Sequence, residues 1–117
     1  MGIKIIRTEQ EFYRSVKRGV ALVEFNAPWC APCRLQEPII NKLASVFEGR
    51  VSIYGLNVDH FQHIAADLGI HSIPTLIVFK EGKEMERIVG LQMEAVLSEA
   101  LKRALGEASE AGEKNKL

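Results

Sequence analysis

Two cysteines, Cys30 and Cys33, are the residues of this chain best suited to chemistry, and the 117 residues contain no others. They follow a buried apolar run, so we expect a helix to start at Cys30, where free N–H groups and the helix dipole lower a thiol pKa. Positions three apart on a helix lie roughly 5 Å apart, which suits a disulfide. Thiol–disulfide exchange is predicted, in which Cys30 attacks a substrate disulfide and the more shielded Cys33 resolves the mixed disulfide.

A zinc site is the alternative chemistry, because His60 and His63 would complete a set of four ligands with the cysteines. The stretch between the two pairs is longer than in zinc fingers, and the histidines are too close together. We therefore expect no metal and no bound cofactor, and the redox group is predicted to be a Cys30–Cys33 disulfide.

Apolar patterning predicts the elements that position the cysteines. Residues 8–11 form a capping box that begins a first helix. Residues 20–25 and 75–79 are typical of strands buried on both faces, and a long helix containing Pro38 should be kinked there. Its inward face is predicted as Leu35, Ile39, Ile40, Leu43, Ala44 and Phe47. Other elements are predicted as strands 3–6, 51–58 and 84–89, with Glu84 and Arg87 on opposite faces, a short helix 61–68 capped by Asp59, and a last helix ending near Leu105.

This order indicates an α/β fold in which helices cover both faces of a mixed sheet. We expect one domain over residues 1–105 and a disordered polar tail over residues 106–117. Equal numbers of basic and acidic residues, 15 each, argue against a nucleic-acid or anionic-membrane ligand. The sequence has no membrane span and no visible secretion signal, so a cytoplasmic monomer is predicted.

The segment FNAPWCAPC, followed by Pro38, Ile73-Pro74-Thr75, a KEGK hairpin and Gly90, resembles the thioredoxin family over about residues 8–105. The resemblance implies a five-stranded mixed sheet flanked by four helices. It also implies a protein-disulfide reductase that serves as an electron carrier in cell redox homeostasis. Its partners would be an NADPH- or ferredoxin-linked thioredoxin reductase and disulfide-bearing protein substrates.

The resemblance also implies a substrate-binding collar around the sulfurs, formed by Trp29, Ile73, Pro74, Gly90 and Leu91. Pro74 would be cis, so that the backbone of Ile73 can pair with an extended substrate segment. For Trp29, plain core packing is the alternative. Near the site, Pro32 fits the first helical turn, where no N–H is needed.

Glu24 is predicted to be a buried acid beneath Cys33 that accepts its proton during resolution. A polar residue on a partly exposed strand face is the alternative. The family usually has Asp at this position and commonly a Lys where this chain has Gly55. Without that cation, we expect the pKa of Glu24 to lie higher than that of the usual Asp.

Two other functions remain open at this point. The chain could be a thioredoxin-like binding protein, or a dedicated redox partner that the general reductase does not serve. It could also be an oxidase or isomerase, but no His lies between the cysteines, which favours a reductant.

Overall fold

A computed structural model describes residues 3–107 of the chain. Nine elements follow one another along it: β1 (Lys4–Ile5), α1 (Glu9–Val16), β2 (Val20–Asn26), α2 (Ala31–Val46), β3 (Val51–Asn57), α3 (Gln62–Asp67), β4 (Thr75–Lys80), β5 (Lys83–Val89) and α4 (Glu94–Ala104). The predicted order of strands and helices is confirmed.

The five strands form one mixed sheet in the order β1-β3-β2-β4-β5. β1 and β2 run parallel to β3, whereas β4 is antiparallel to β2 and to β5. β2 is the central strand, and all but its last residue are buried, as its apolar run predicts. The cysteine pair follows shortly after the end of this central strand.

Helices cover both faces of the sheet. One core cluster joins α2 and α4 to the sheet through Ile40, Leu43, Phe47, Leu97 and Leu101. The cluster on the opposite face joins α1 and α3 to it through Phe12, Val16 and Ile64. The predicted α/β fold class, a five-stranded mixed sheet flanked by four helices, is confirmed.

The inward face predicted for α2 is wrong at one position. Leu35 is 64% exposed, whereas its neighbour Gln36 is completely buried. Gln36 precedes the buried Ile40 and Leu43 by four and seven residues, so helical spacing places position 36 and not position 35 on the inward face. Pro38 lies inside a helix that continues through it to Val46.

The predicted cap of the short helix is also wrong. The N-cap of α3 is Phe61, two residues after Asp59, and no side chain caps the helix; the Asp59 carboxylate accepts a hydrogen bond from Trp29. The other end of α3 is closed by a glycine in the left-handed conformation. Gly69 has φ +67°, its N–H donates to Ala66, and the next N–H donates to Ala65.

Strand β5 departs from the predicted alternation because it carries a β-bulge. Phe79 pairs with Glu84 and Val78 with Glu86, so Met85 is the extra residue. The bulge brings Glu84 to the same face as Arg87, and their side chains form an ion pair at 2.8 Å. The prediction that these two residues lie on opposite faces is therefore wrong.

None of the four helices within residues 3–107 combines the length and apolar character that a bilayer-spanning helix requires. The predicted disorder of the tail concerns residues 106–117, of which 108–117 lie outside the described residues.

Candidate active site

Cys30 and Cys33 lie where β2 leads into α2. Cys30 is the N-cap of the helix, and its Sγ accepts a hydrogen bond of 3.2 Å from the Cys33 N–H. The two cysteines form a disulfide, and their Cα atoms are 5.3 Å apart. This placement confirms the predicted helix start at the cysteine pair. Both residues are 4% exposed, so in the disulfide form burial does not distinguish Cys33 as the more shielded residue.

The cysteines pack in a small apolar cluster with Ala27, against which Val58 and Ile73 also pack. Ile73 precedes Pro74, and the peptide bond between them is cis, as the family resemblance implies. The contact with Ile73 brings the segment before β4 to the sulfurs. Two separate parts of the chain therefore meet at the disulfide.

Gly90 and Leu91 belong to a loop after β5 that is attached to the same segment. The Gly90 N–H donates a hydrogen bond of 2.8 Å to the carbonyl oxygen of Pro74. Gly90 has φ +92°, a conformation that strains residues with a side chain. Leu91 is 42% exposed. The backbone of Gly90 thus holds this loop beside the Ile73–Pro74 segment.

Trp29 is a surface residue rather than part of the core. Its side chain is 68% exposed, and the indole Nε1 donates a hydrogen bond of 2.9 Å to Asp59 Oδ2. This single bond fixes the ring at the edge of the active site while its apolar face remains accessible. Plain core packing, the alternative considered for Trp29, is therefore wrong.

A groove of about 700 Å³ begins at Trp29 and extends to Ile73. Its lining includes Val58, Ala66 and Ile70, with His71 and Asp59 as polar members. The groove therefore offers a mainly apolar surface whose lining includes Val58 and Ile73, the two residues that pack against the cysteine cluster.

Glu24 is buried in the middle of the sheet, so the partly exposed alternative is wrong. Only 1% of the residue is exposed, and burial raises the pKa of its carboxyl to about 7. A hydrogen bond from Asn26 opposes this rise, and the nearby negative charge of Glu37 adds to it. The other carboxyl oxygen, Oε2, is buried and has no hydrogen-bond partner among the described residues.

Asn26 is the polar partner of Glu24, and sequence reasoning missed it. Residues two apart on a strand share a face, and Asn26 Nδ2 donates to Glu24 Oε1 at 3.1 Å. Gly55 is the register partner of Glu24 on β3, and a Cβ there would lie 3.4 Å from Asn26 Nδ2. A neutral amide thus occupies the space beside the carboxyl, which a larger residue at position 55 would crowd.

Replacing Asn26 with leucine should raise the pKa of Glu24 further. The leucine cannot donate a hydrogen bond, so the carboxylate form loses stabilisation, and we expect the titration midpoint to rise by about one pH unit. NMR titration of the Glu24 side-chain carboxyl would measure it. Asn57→Leu is the matched control, because Asn57 pairs with Asn26 in register but its side chain accepts from the Asp59 N–H. Equal titration curves for Asn26→Leu and the unaltered protein would contradict this reading.

The structure does not join the residues of the alternative zinc site into one cluster. Within residues 3–107, no group of three or more His, Cys, Asp or Glu side chains could hold a metal ion. His63 lies on α3, where its Nε2 is 3.3 Å from Asp67 Oδ2. The redox group of the site is the Cys30–Cys33 disulfide.

Comparison with known proteins gives consistent matches along the chain. The thioredoxin family model matches residues 3–103. A thioredoxin from Staphylococcus aureus is 42% identical over 98 residues, which cover 84% of this chain and 94% of that protein.

Solved structures show the same similarity. A variant thioredoxin from Halobacterium salinarum superposes with a TM-score of 0.82 at 28% identity, covering 89% of this chain and 91% of the other. A thioredoxin from Malassezia sympodialis gives a TM-score of 0.80 at 28% identity, with 90% and 93% of the two chains covered.

Proposed function

Since the chain belongs to the thioredoxin family and is a thiol–disulfide oxidoreductase, we propose that it reduces protein disulfides with Cys30 as the attacking thiol and Cys33 as the resolving thiol. The observation that carries this assignment is the position of Cys30 Sγ at the start of α2. The sulfur already accepts the Cys33 N–H there, and the same donor would stabilise a thiolate.

The reaction transfers two electrons to the substrate. The Cys30 thiolate attacks one sulfur of the substrate disulfide, which forms a mixed disulfide and releases the first substrate thiolate. The Cys33 thiolate then attacks Cys30 Sγ and releases the second substrate thiolate. The protein is left with the Cys30–Cys33 disulfide, and the substrate has gained two electrons and, after protonation, two protons.

Glu24 is the proton acceptor for Cys33 in this proposal. The two residues line the same cavity of about 360 Å³, together with Asn26 and Glu37. A carboxyl with a pKa of about 7 exists in both protonation states near neutral pH, so it can accept and return a proton there. The unpartnered Oε2 is the oxygen that is free to do so.

Trp29, Ile73, Pro74, Gly90 and Leu91 form the substrate-binding collar of this proposal. Trp29 and Leu91 supply exposed apolar surface, and Ile73 packs against the cluster that contains the cysteines. An extended substrate segment would pair with the Ile73 backbone, while its side chains enter the groove beside Trp29. Pro32 and Pro38 shape the helix behind the sulfurs rather than contact the substrate.

We further assign the chain to the cytoplasm as a monomer, with residues 1–105 as its single domain. It would carry electrons there from an NADPH- or ferredoxin-linked reductase to protein substrates. Cell fractionation would contradict the location if the protein were found outside the cytoplasm. Sedimentation at micromolar concentration would contradict the monomer if it gave twice the mass of 13.1 kDa.

Coupled insulin reduction should identify the electron donor. With dithiothreitol as reductant, we expect insulin to be reduced, because this assay needs only the Cys30–Cys33 pair. With NADPH and a bacterial thioredoxin reductase, we expect NADPH oxidation that depends on this protein. Activity with dithiothreitol and with a ferredoxin-linked reductase, but not with NADPH, would select the ferredoxin system. Activity with dithiothreitol alone would mean that a dedicated partner replaces the general reductases.

A further inference from the structure

We propose that Gln36 is a positioning residue for disulfide exchange, because its side-chain amide fastens the Leu91 loop to the helix that carries Cys33. This inference rests on the docking role proposed above for Leu91. It adds the residue that holds the docking surface at a fixed distance from the sulfurs.

The hydrogen bonds of Gln36 form a reciprocal pair. Its Nε2 donates to the carbonyl oxygen of Gln92 at 3.0 Å, and the Gln92 N–H donates to Gln36 Oε1 at 2.8 Å. Gln36 is completely buried, although the neighbouring core positions of α2 carry Ile40 and Leu43, and an apolar residue would be usual there. A buried amide without partners is destabilising, so this side chain depends on the position of the loop. In turn, the position of the loop depends on the Gln36 amide, which satisfies the N–H and C=O groups of Gln92.

Gln36 also lies on the correct part of α2 for this task. It is three residues after Cys33, and positions three apart lie on the same side of a helix. The amide therefore connects the loop to the turn of α2 that immediately follows the cysteines. A shift of this turn and a shift of the loop would occur together.

A second anchor holds the loop on its other side. The Gly90 N–H donates to the Pro74 carbonyl oxygen at 2.8 Å, which joins the loop to the segment that contacts the cysteines. Leu91 lies between the two anchored residues and remains 42% exposed. Its side chain is thus presented from a backbone held by both elements that form the active site.

Because the loop is already fixed, less conformational entropy is lost when a protein substrate binds to it. Without the amide of Gln36, Gln92 would lose its attachment to α2, and Leu91 would occupy several positions. Binding would then have to select one of them, which weakens docking without changing the sulfur chemistry. A small disulfide that reacts at Cys30 without reaching Leu91 would not experience this loss.

Gln36→Leu tests the inference. We expect the second-order rate constant for reduction of insulin by the reduced variant to fall roughly five- to tenfold. For 2-hydroxyethyl disulfide, a small substrate, we expect a change of less than about twofold. Gln10→Leu is the matched control, because Gln10 is exposed on α1, on the opposite face of the sheet. An unchanged insulin rate, or an equal loss with both substrates, would overturn the inference.

Two further measurements make the result independent of how the variant folds. Hydrogen exchange of the Gln92 amide in the unaltered protein should be slow, and exchange at the rate of a free amide would overturn the inference. Leu91→Ser tests the docking role itself. If Leu91→Ser slows insulin reduction but Gln36→Leu does not, only the role of Gln36 is wrong. If Leu91→Ser has no effect, the docking role is wrong and the inference fails with it.

Discussion

Cys30→Ser is expected to abolish disulfide reduction, with a rate lower by about 10³-fold or more in dithiothreitol-driven insulin reduction. A serine hydroxyl is not ionised near neutral pH and cannot exchange with a disulfide. Serine is nevertheless a good N-cap residue, so it can replace the Cys30 sulfur as acceptor of the Cys33 N–H. The start of α2 should therefore survive, and the lost activity would reflect the missing sulfur alone.

Cys33→Ser is the matched variant, since it removes the other sulfur and leaves Cys30 in place. It should perform the first exchange step and stop there, so a mixed disulfide with the substrate accumulates. Mass spectrometry under non-reducing conditions would detect this adduct. Accumulation of the adduct in Cys30→Ser rather than in Cys33→Ser would reverse the two assigned roles.

Glu24→Gln is expected to stabilise the protein at alkaline pH. Burial raises the pKa of Glu24 from 4.5 to about 7, so the folded state binds this proton more tightly than the unfolded state does. The resulting stability is fully present below about pH 4.5 and is lost as the pH rises through about 7. The loss amounts to about 3 kcal/mol by linkage, and glutamine at position 24 would not incur it.

Urea unfolding of the oxidised protein between pH 4.5 and pH 8.5 would measure this difference. The free energy of unfolding should fall with pH in the unaltered protein and fall less steeply in Glu24→Gln. Glu37→Gln is the control, because Glu37 is an exposed neighbour of the same cavity and its removal should leave most of the slope. Parallel pH profiles for Glu24→Gln and the unaltered protein would show that this carboxyl does not titrate with a raised pKa.

The same substitution should slow catalysis. Without the carboxyl, Cys33 loses the buried proton acceptor proposed for it, and resolution of the mixed disulfide should become roughly tenfold to a hundredfold slower near pH 7. Stopped-flow decay of the mixed disulfide would report this step. An unchanged decay rate would remove Glu24 from the mechanism. Greater stability combined with slower resolution would show that this buried acid is retained for function.

The sequence predicts most of the fold because its local signals agree with one another. The apolar run of β2 lies directly before the cysteine pair, and Pro32 fits the first turn of α2. The same reasoning places the sulfurs at a helix start, which the structure confirms. The two cysteines lie close together in one continuous segment, so this part of the site can be predicted without knowledge of tertiary contacts.

The errors occur where contacts between distant residues decide the outcome. Apolar character favours Leu35 over Gln36 as a core residue, although helical spacing favours position 36, and the glutamine can be buried there because Gln92, far along the chain, pairs with its amide. Asp59 is a suitable capping residue by type, but the helix starts two residues too late for it to cap, and its carboxylate accepts from the distant Trp29. The one-residue bulge on β5 is likewise hard to recognise from the alternation of side chains along the strand sequence.

Asn26 shows the same limit within the site. Its amide reaches Glu24 because both side chains share one face of β2 and because Gly55 on the neighbouring strand has no side chain. The sequence reveals the missing cation at position 55 but not the group beside Glu24. Strand register, which is a tertiary property, supplies that information.

The two borders of the sheet affect how the protein behaves at high concentration. β1 contains two residues, and the bulge interrupts β5 among charged residues such as Lys83 and Arg87. Neither border offers a long, flat row of free N–H and C=O groups, which is the template on which strands of separate molecules join into aggregates. We therefore expect molecules of this protein not to join edge to edge at high concentration.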